Sequence, residues 1–237
     1  MANDSLQQAK RVKNDEFYTV YDYIQKEINA YLEYDPDTFR DKVVLCPCDD
    51  PEWSNFTRFF AQNFENLGLR KLISTSYSQQ SKKEKYEQYH QLSLFETAFP
   101  QYDEEKSQTK GKIFTLTRDK NSSGVIDYDD LEWRDLDGDG DFRSEEVRAL
   151  RDEADIIVTN PPFSLFRDFV NWIFEADKKC IIIGTIGAAI YKEIFPLIKE
   201  NLLWIGQLTT ARIWFLKFPK GQMSIPKIVT KRQSWDM

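Results

Sequence analysis

The chain has 237 residues, 41% of them hydrophobic and 30% charged, which suits one globular domain with a sizeable core. A formal charge of -7 excludes a polybasic nucleic-acid coat and leaves room only for a local basic patch. Three cysteines (Cys46, Cys48, Cys180) are too few for a disulfide framework, so a reducing cytoplasmic setting is expected. No membrane partner is expected either. The opening MANDSLQQAKRVKNDEF has no apolar stretch, and Cys180–Ile190 falls far short of the roughly 20 residues of a span.

In chain order, a helix is expected from Tyr21 to Tyr31. Lys42–Cys46 (KVVLC) is the short β-branched run of a buried parallel strand. Ser54 then caps a helix with Phe56, Phe59, Phe60, Phe64 and Leu67 on one face, and Gly68 ends it. Lys71–Thr75 (KLIST) reads as the second strand of a β-α-β unit. Residues 76–112 are polar and nearly glycine-free, and are expected to form an insertion that carries the lone His90 on its surface. Lys112–Thr117 (KIFTLT) is a strand, and acidic loops occupy 119–146. From Asp127 to Asp155 there are 13 acids against 4 bases.

Asp155–Thr159 (DIIVT) is the next buried strand. After it, Ser164 is expected to cap a helix that turns Leu165, Phe166, Phe169, Trp172 and Ile173 inward. A strand over Cys180–Ile186, a helix over Ala188–Glu200 and strands at Leu202–Gln207 and Arg212–Phe218 complete the pattern. Residues 211–237 hold six bases and one acid, a net +5; they suit either solvated surface or a polyanion contact. The expected architecture is an open, doubly wound α/β sheet whose ligands bind beyond the carboxyl ends of its strands.

Asn160-Pro161-Pro162-Phe163 follows the buried strand directly and so falls at that edge. Two prolines remove two donors and fix φ, which leaves a rigid, donor-poor turn. The Asn160 amide oxygen and the Pro161 carbonyl then form two convergent acceptors, suited to the two hydrogens of an exocyclic amine. Accepting both hydrogens draws the nitrogen lone pair out of ring conjugation and makes it nucleophilic. Phe163 offers a flat face for an extruded base, worth about 1–3 kcal/mol.

These residues, with KNDEFYT (Lys13–Thr19), CPCDDPEWSNF (Cys46–Phe56) and GDGDFRSEEVRALRDEADIIVTNPPFSLFRDF (Gly138–Phe169), resemble the EcoRI-type adenine-specific DNA methyltransferase family. The similarity runs from the N-terminus to about Leu197. It implies a single Rossmann-like class I methyltransferase domain over 1–237, mostly parallel, with helices on both faces. Implied too are S-adenosylmethionine as cofactor and the N6 of adenine in double-stranded DNA as target. Asn160, Pro161, Pro162 and Phe163 would then be catalytic. Phe17, Tyr18 and Thr19 would lie near the methionine end of the cofactor, and Cys48, Asp49, Asp50 and Ser54 would hold its amino acid part. Asp141 would accept from its adenine amine, with Phe142 packed on the ring. An RNA base or a protein glutamine are alternative substrates. Because the similarity fades, the target-recognition region is expected to be missing and the chain to be a weak or inactive enzyme by itself.

Two departures stand out. The first loop lacks the glycines that usually let backbone approach the cofactor, and the second strand ends in Ser74-Thr75-Ser76 rather than in an acid. A rival chemistry also overlaps the motif. Asp135, Asp137, Asp139, Gly140 and Glu146 match positions 1, 3, 5, 6 and 12 of a twelve-residue calcium loop, with a looser copy from Asp119 to Asp130. Calcium there, on a non-catalytic module with a methyltransferase scaffold, and a plain solvated acidic loop both remain open at this point.

Overall fold

The computed structural model describes residues 21–49, 54–78, 109–206 and 212–217. Helix α1 (Tyr21–Tyr34) buries Ile24, Ile28 and Tyr31, spaced one helical stripe apart. It stops at Tyr34 because Asp35 precedes Pro36, a position that disfavours helical backbone. Strand β1 (Val43–Cys46) is buried along its whole length. Its side chains alternate between two cores: Val44 and Cys46 enter one, Val43 and Leu45 the other. Helices α1 and α2 (Asn55–Gln62) cover the first face with Ile24, Ile28, Phe56 and Phe60. Helices α3 (Glu145–Glu153) and α4 (Phe166–Glu175) cover the second with Val147, Phe166, Phe169 and Ile173.

Eight strands form one sheet among the described residues. Besides β1 they are β2 (Lys71–Ser76), β3 (Lys112–Leu116), β4 (Glu132–Asp135), β5 (Ile156–Thr159), β6 (Lys179–Thr185), β7 (Trp204–Ile205) and β8 (Arg212–Lys217), in the order β4-β3-β2-β1-β5-β6-β8-β7. The central four, β2-β1-β5-β6, are parallel. Both flanks are antiparallel: β3 and β4 on one side, β8 and β7 on the other.

This corrects the expectation of a mostly parallel sheet, since three pairings are parallel and four antiparallel. The molecule is a mixed α/β sheet with a parallel centre and hairpin flanks. A parallel return needs a crossover, usually helical. The acidic stretch supplies no such helix before β4. Instead Glu132–Asp135 runs as a half-buried edge strand against β3, with Trp133 opposite Phe114.

Three other expectations change. The helix after the N-P-P-F turn begins at Phe166, preceded by a 3-10 turn over Phe163–Leu165, and Ser164 makes no cap. The Ala188–Glu200 helix is instead a 3-10 segment (Ile186–Ile190) and a short α5 (Phe195–Lys199), with Pro196 fixing the start of the latter. Helix α3, at the end of the acidic loops and beyond, was not expected. Ser144 caps it by accepting from Val147 N at 3.3 Å. Most of the 76–112 insertion, His90 included, and most of the basic tail lie outside the described residues.

Candidate active site

Because β2, β1, β5 and β6 are parallel, their exits share one edge, and the chain order reverses between β1 and β5. Open sheets bind ligands in the crevice at such a switch point. The loop after β1 carries Cys48 and Asp49; the exit of β5 carries Asn160-Pro161-Pro162-Phe163. Thr159, fully buried, donates its hydroxyl to the Pro47 carbonyl at 2.8 Å and so ties the two exits together.

The glycine-free first loop is built another way. Cys48 itself takes left-handed backbone, φ 62°. For a residue with a Cβ that costs about 1–2 kcal/mol, and the surroundings hold it there. The Cys48 N–H donates to Thr75 Oγ1 at 3.3 Å. Beneath the loop Thr57 donates to Ser74 Oγ at 2.9 Å, and Ser74 donates to the Asp49 carbonyl. The Ser74 and Thr75 hydroxyls, which replace the expected acid, therefore anchor the neighbouring loop.

Asp49 is 6% exposed, and its Oδ1 accepts from Ser54 Oγ at 2.7 Å. Ser54 also caps α2, accepting from Phe56 N at 3.1 Å. The loop thus places a carboxylate next to a helix N-terminus, one suited to a cation and the other to an anion. Cys46, wholly buried below, has its thiol held well above the usual range by burial and then by Asp49. All three cysteines are free.

In the turn itself Pro161 and Pro162 are buried, Phe163 is half-buried, and the Asn160 amide oxygen is buried. Leu165 N donates to the Pro162 carbonyl at 2.8 Å, closing the 3-10 turn.

The acidic loop meets this edge from the β2 side. Ser78 N donates to the Asp139 carbonyl at 2.8 Å, and Gly140, at φ +88°, lies flat against the Ser76 carbonyl. Arg143 grips both oxygens of Asp141, from Nε at 2.9 Å and from Nη2 at 2.7 Å. Phe142 is 1% exposed and stacks on Phe169 with centroids 4.0 Å apart, so its ring belongs to the second core. Asp141 is therefore brought to the edge, whereas the Phe142 ring is spent on packing. Phe17, Tyr18, Thr19 and Asp50 lie outside the described residues.

The calcium reading finds no support in the structure. Among the described residues no three Asp, Glu, His or Cys side chains converge on a cation position. Asp135, Asp137, Asp139 and Glu146 form no such group, and Asp139 and Glu146 have backbone N–H partners instead. Glu146 accepts from Asp137 N at 2.7 Å and pairs with Arg134, and Asp139 accepts from Asp141 N at 3.0 Å. In the upstream copy Asp119 accepts from Gly124 N, and Asp130 accepts from the N–H groups of Lys120, Asn121 and Asp127. Burial works to raise the Asp130 carboxyl, but those N–H bonds outweigh it and leave the group below its ordinary value.

Thr159, Arg143 and Tyr77 lie at the candidate site although the sequence assigned them no role. Tyr77 was findable as the first residue beyond the second strand. Its hydroxyl is buried beside the Cys48 thiol, the Asp141 carboxylate and the Phe142 backbone.

An asparagine-proline-proline-phenylalanine turn beside the first-strand loop, at the switch point of an open sheet, is the arrangement expected of the amino-group methyltransferase class. The chain belongs to the family described as adenine-specific methyltransferase EcoRI, which it matches over residues 5–231. The likeness thus continues well past Leu197, where it was expected to fade. The type II methyltransferase M.EcoRI of Escherichia coli is 42% identical over 86% of this chain and 55% of its own length. The type II methyltransferases M.MpnI of Mycoplasma pneumoniae and M.MgeORF184P of Mycoplasma genitalium are 33% and 32% identical, over 93% and 92% of this chain and 56% of their own lengths. The chain spans about half the length of these relatives. No solved structure matches it. No helix among the described residues is long and apolar enough to cross a membrane.

Proposed function

We propose that this chain carries the cofactor- and base-binding sheet, of Rossmann-like class I type, of an enzyme that methylates the exocyclic N6 of adenine in double-stranded DNA. The observation that carries it is the position of Asn160-Pro161-Pro162-Phe163 at the exit of β5, beside the Cys48–Asp49 loop. The adenine-specific family and the type II relatives, whose name points to a restriction-modification setting, support the same substrate.

The donor set fits S-adenosylmethionine. Asp49, a nearly buried carboxylate with one oxygen already oriented by Ser54, suits the methionine ammonium, and the start of α2 suits its carboxylate. Asp141, fixed by Arg143, is the acceptor for the adenine amine at the other side of the mouth. Phe17, Tyr18, Thr19 and Asp50 complete the set by resemblance. When bound, the cofactor supplies an electrophilic methyl on a positively charged sulfur. The chain's own residues do the rest. The target base leaves the helical stack. Asn160 Oδ1 and the Pro161 carbonyl accept its two amine hydrogens, Pro162 keeps the turn rigid, and Phe163 stacks on the ring. The remainder is positioning.

Transfer of a radiolabelled methyl group to duplex DNA, RNA and protein in parallel tests the substrate, and calorimetry with S-adenosylmethionine tests the cofactor. Label in DNA adenine is the expected outcome. Label in RNA or protein alone moves the substrate class, and no cofactor binding at millimolar concentration removes the enzyme reading altogether.

A further inference from the structure

Three loops frame the edge between β2 and β1, and one side chain lies at their junction. The first is the β1 exit, held in left-handed backbone at Cys48, with Asp49 beyond it. The second is the β2 exit, Tyr77-Ser78. The third is the acidic loop, docked through the Ser78 N to Asp139 O bond and through Gly140. The Tyr77 hydroxyl is buried among all of them, beside Cys48 on one side and Asp141 and the Phe142 backbone on the other. We propose that Tyr77 is a positioning residue of the cofactor site: its hydroxyl clasps the Cys48 loop to the Asp141 loop and sets the span between the two carboxylates, Asp49 and Asp141.

The proposal rests on the methyltransferase reading above, and it answers a specific gap in it. A ligand carrying an ammonium at one end and an adenine at the other must find Asp49 and Asp141 at a fixed separation. No acid ends β2 to hold the middle. Ser74 and Thr75 are committed downward, to the Asp49 carbonyl and the Cys48 N–H. Backbone contacts dock the acidic loop onto β2, but they do not reach the Cys48 loop; Tyr77 does. Burial, then Cys48, pushes the Tyr77 hydroxyl above its ordinary value, so it stays a neutral donor across the physiological range. A neutral hydroxyl joins two loops that each carry a carboxylate without adding a third negative charge.

Tyr77→Phe removes the oxygen and keeps the ring, so the fold is preserved. In the full chain, titrated with S-adenosylhomocysteine, this variant should raise Kd by roughly five- to tenfold, the effect of one lost neutral hydrogen bond. The unliganded melting temperature should move by less than about 3 °C. Asp141→Asn should raise Kd as well. The double variant should cost less than the product of the two single effects, because both act through the same loop. Unchanged Kd in Tyr77→Phe, with wild-type binding intact, overturns this proposal alone. A lowered melting temperature with unchanged Kd assigns the hydroxyl to folding and overturns it too. A wild type that binds no S-adenosylhomocysteine overturns the methyltransferase reading and this proposal together.

Discussion

The hydroxyl of Thr159 donates to the carbonyl of Pro47 at 2.8 Å across the switch point of the sheet. Neither residue had been given a role, yet the bond joins the loop assigned to the cofactor to the turn assigned to the target base. Thr159→Val keeps the shape and the β-branching but leaves the Pro47 carbonyl without this donor. Denaturant unfolding should show a loss of about 1–2 kcal/mol. Methyl transfer should fall further than that loss implies, because the two halves of the site would no longer share a register. Equal stability in wild type and variant would show that the bond does not form in solution.

Asn160→Ala should nearly abolish methyl transfer while S-adenosylhomocysteine affinity stays within about twofold. In the proposed function Asn160 faces the target amine, and an aimed catalytic hydrogen bond is worth about 2.7–4 kcal/mol, a rate factor of 10²–10³. The measurements are single-turnover methylation and calorimetry on the same preparation. A variant that keeps more than about a tenth of the wild-type rate would remove Asn160 from the chemistry.

The central parallel strands and the turn at the exit of β5 were legible in the sequence because β-branched runs and prolines act locally. Val43–Cys46, Lys71–Ser76 and Ile156–Thr159 fall within a residue or two of where their patterns put them. The antiparallel flank was not legible. Glu132–Asp135 sits inside an acidic run whose spacing matches a cation loop as well as an edge strand. The absence of glycine from the first loop is plain in the sequence, but the way the loop is held is not. A left-handed cysteine stabilised by Thr75 depends on a neighbour 27 positions away. The contacts of Tyr77 and Thr159 across neighbouring loops likewise emerge only when strand exits are brought side by side.

Cys180 gives a pH dependence with a defined sign. Its thiol is 1% exposed, and burial pushes it from 9.0 up to about 12, with Lys217 opposing that rise. Below pH 9 both folded and unfolded chains keep the proton, and this group adds no pH dependence. Between pH 9 and 12 the unfolded chain releases the proton while the folded chain retains it, so stability falls as pH rises. The melting temperature should therefore decline through that window. Cys180→Ala should start lower, because of the cavity it leaves, but should decline less steeply. Parallel slopes for the two proteins would show that Cys180 does not titrate on unfolding.

The two glycines of the acidic loop should respond oppositely to the same substitution. At Gly138 an added Cβ meets nothing within 4 Å, and no positive φ is imposed. At Gly140 the backbone sits at φ +88°, and an added Cβ would land directly on the Ser76 carbonyl oxygen, with the Tyr77 Cα at 3.2 Å. Both obstacles are backbone of the β2 exit and cannot swing aside as a side chain would. Gly111 closes the same junction, since its Cβ would meet the Ser76 carbonyl at 2.6 Å and the Gly140 backbone at 2.7 Å. Gly138→Ala should thus change stability by less than about 0.5 kcal/mol. Gly140→Ala should cost several times more, since left-handed strain of about 1–2 kcal/mol adds to the clash. It should also undock the loop, and with it Asp141, from the exit of β2. Amide hydrogen exchange at Ser78, whose N–H donates to Asp139 across this junction, is the direct measurement. It should speed up in Gly140→Ala and stay protected in Gly138→Ala. Equal protection in the two variants would mean that this glycine packing does not hold the loop against the sheet.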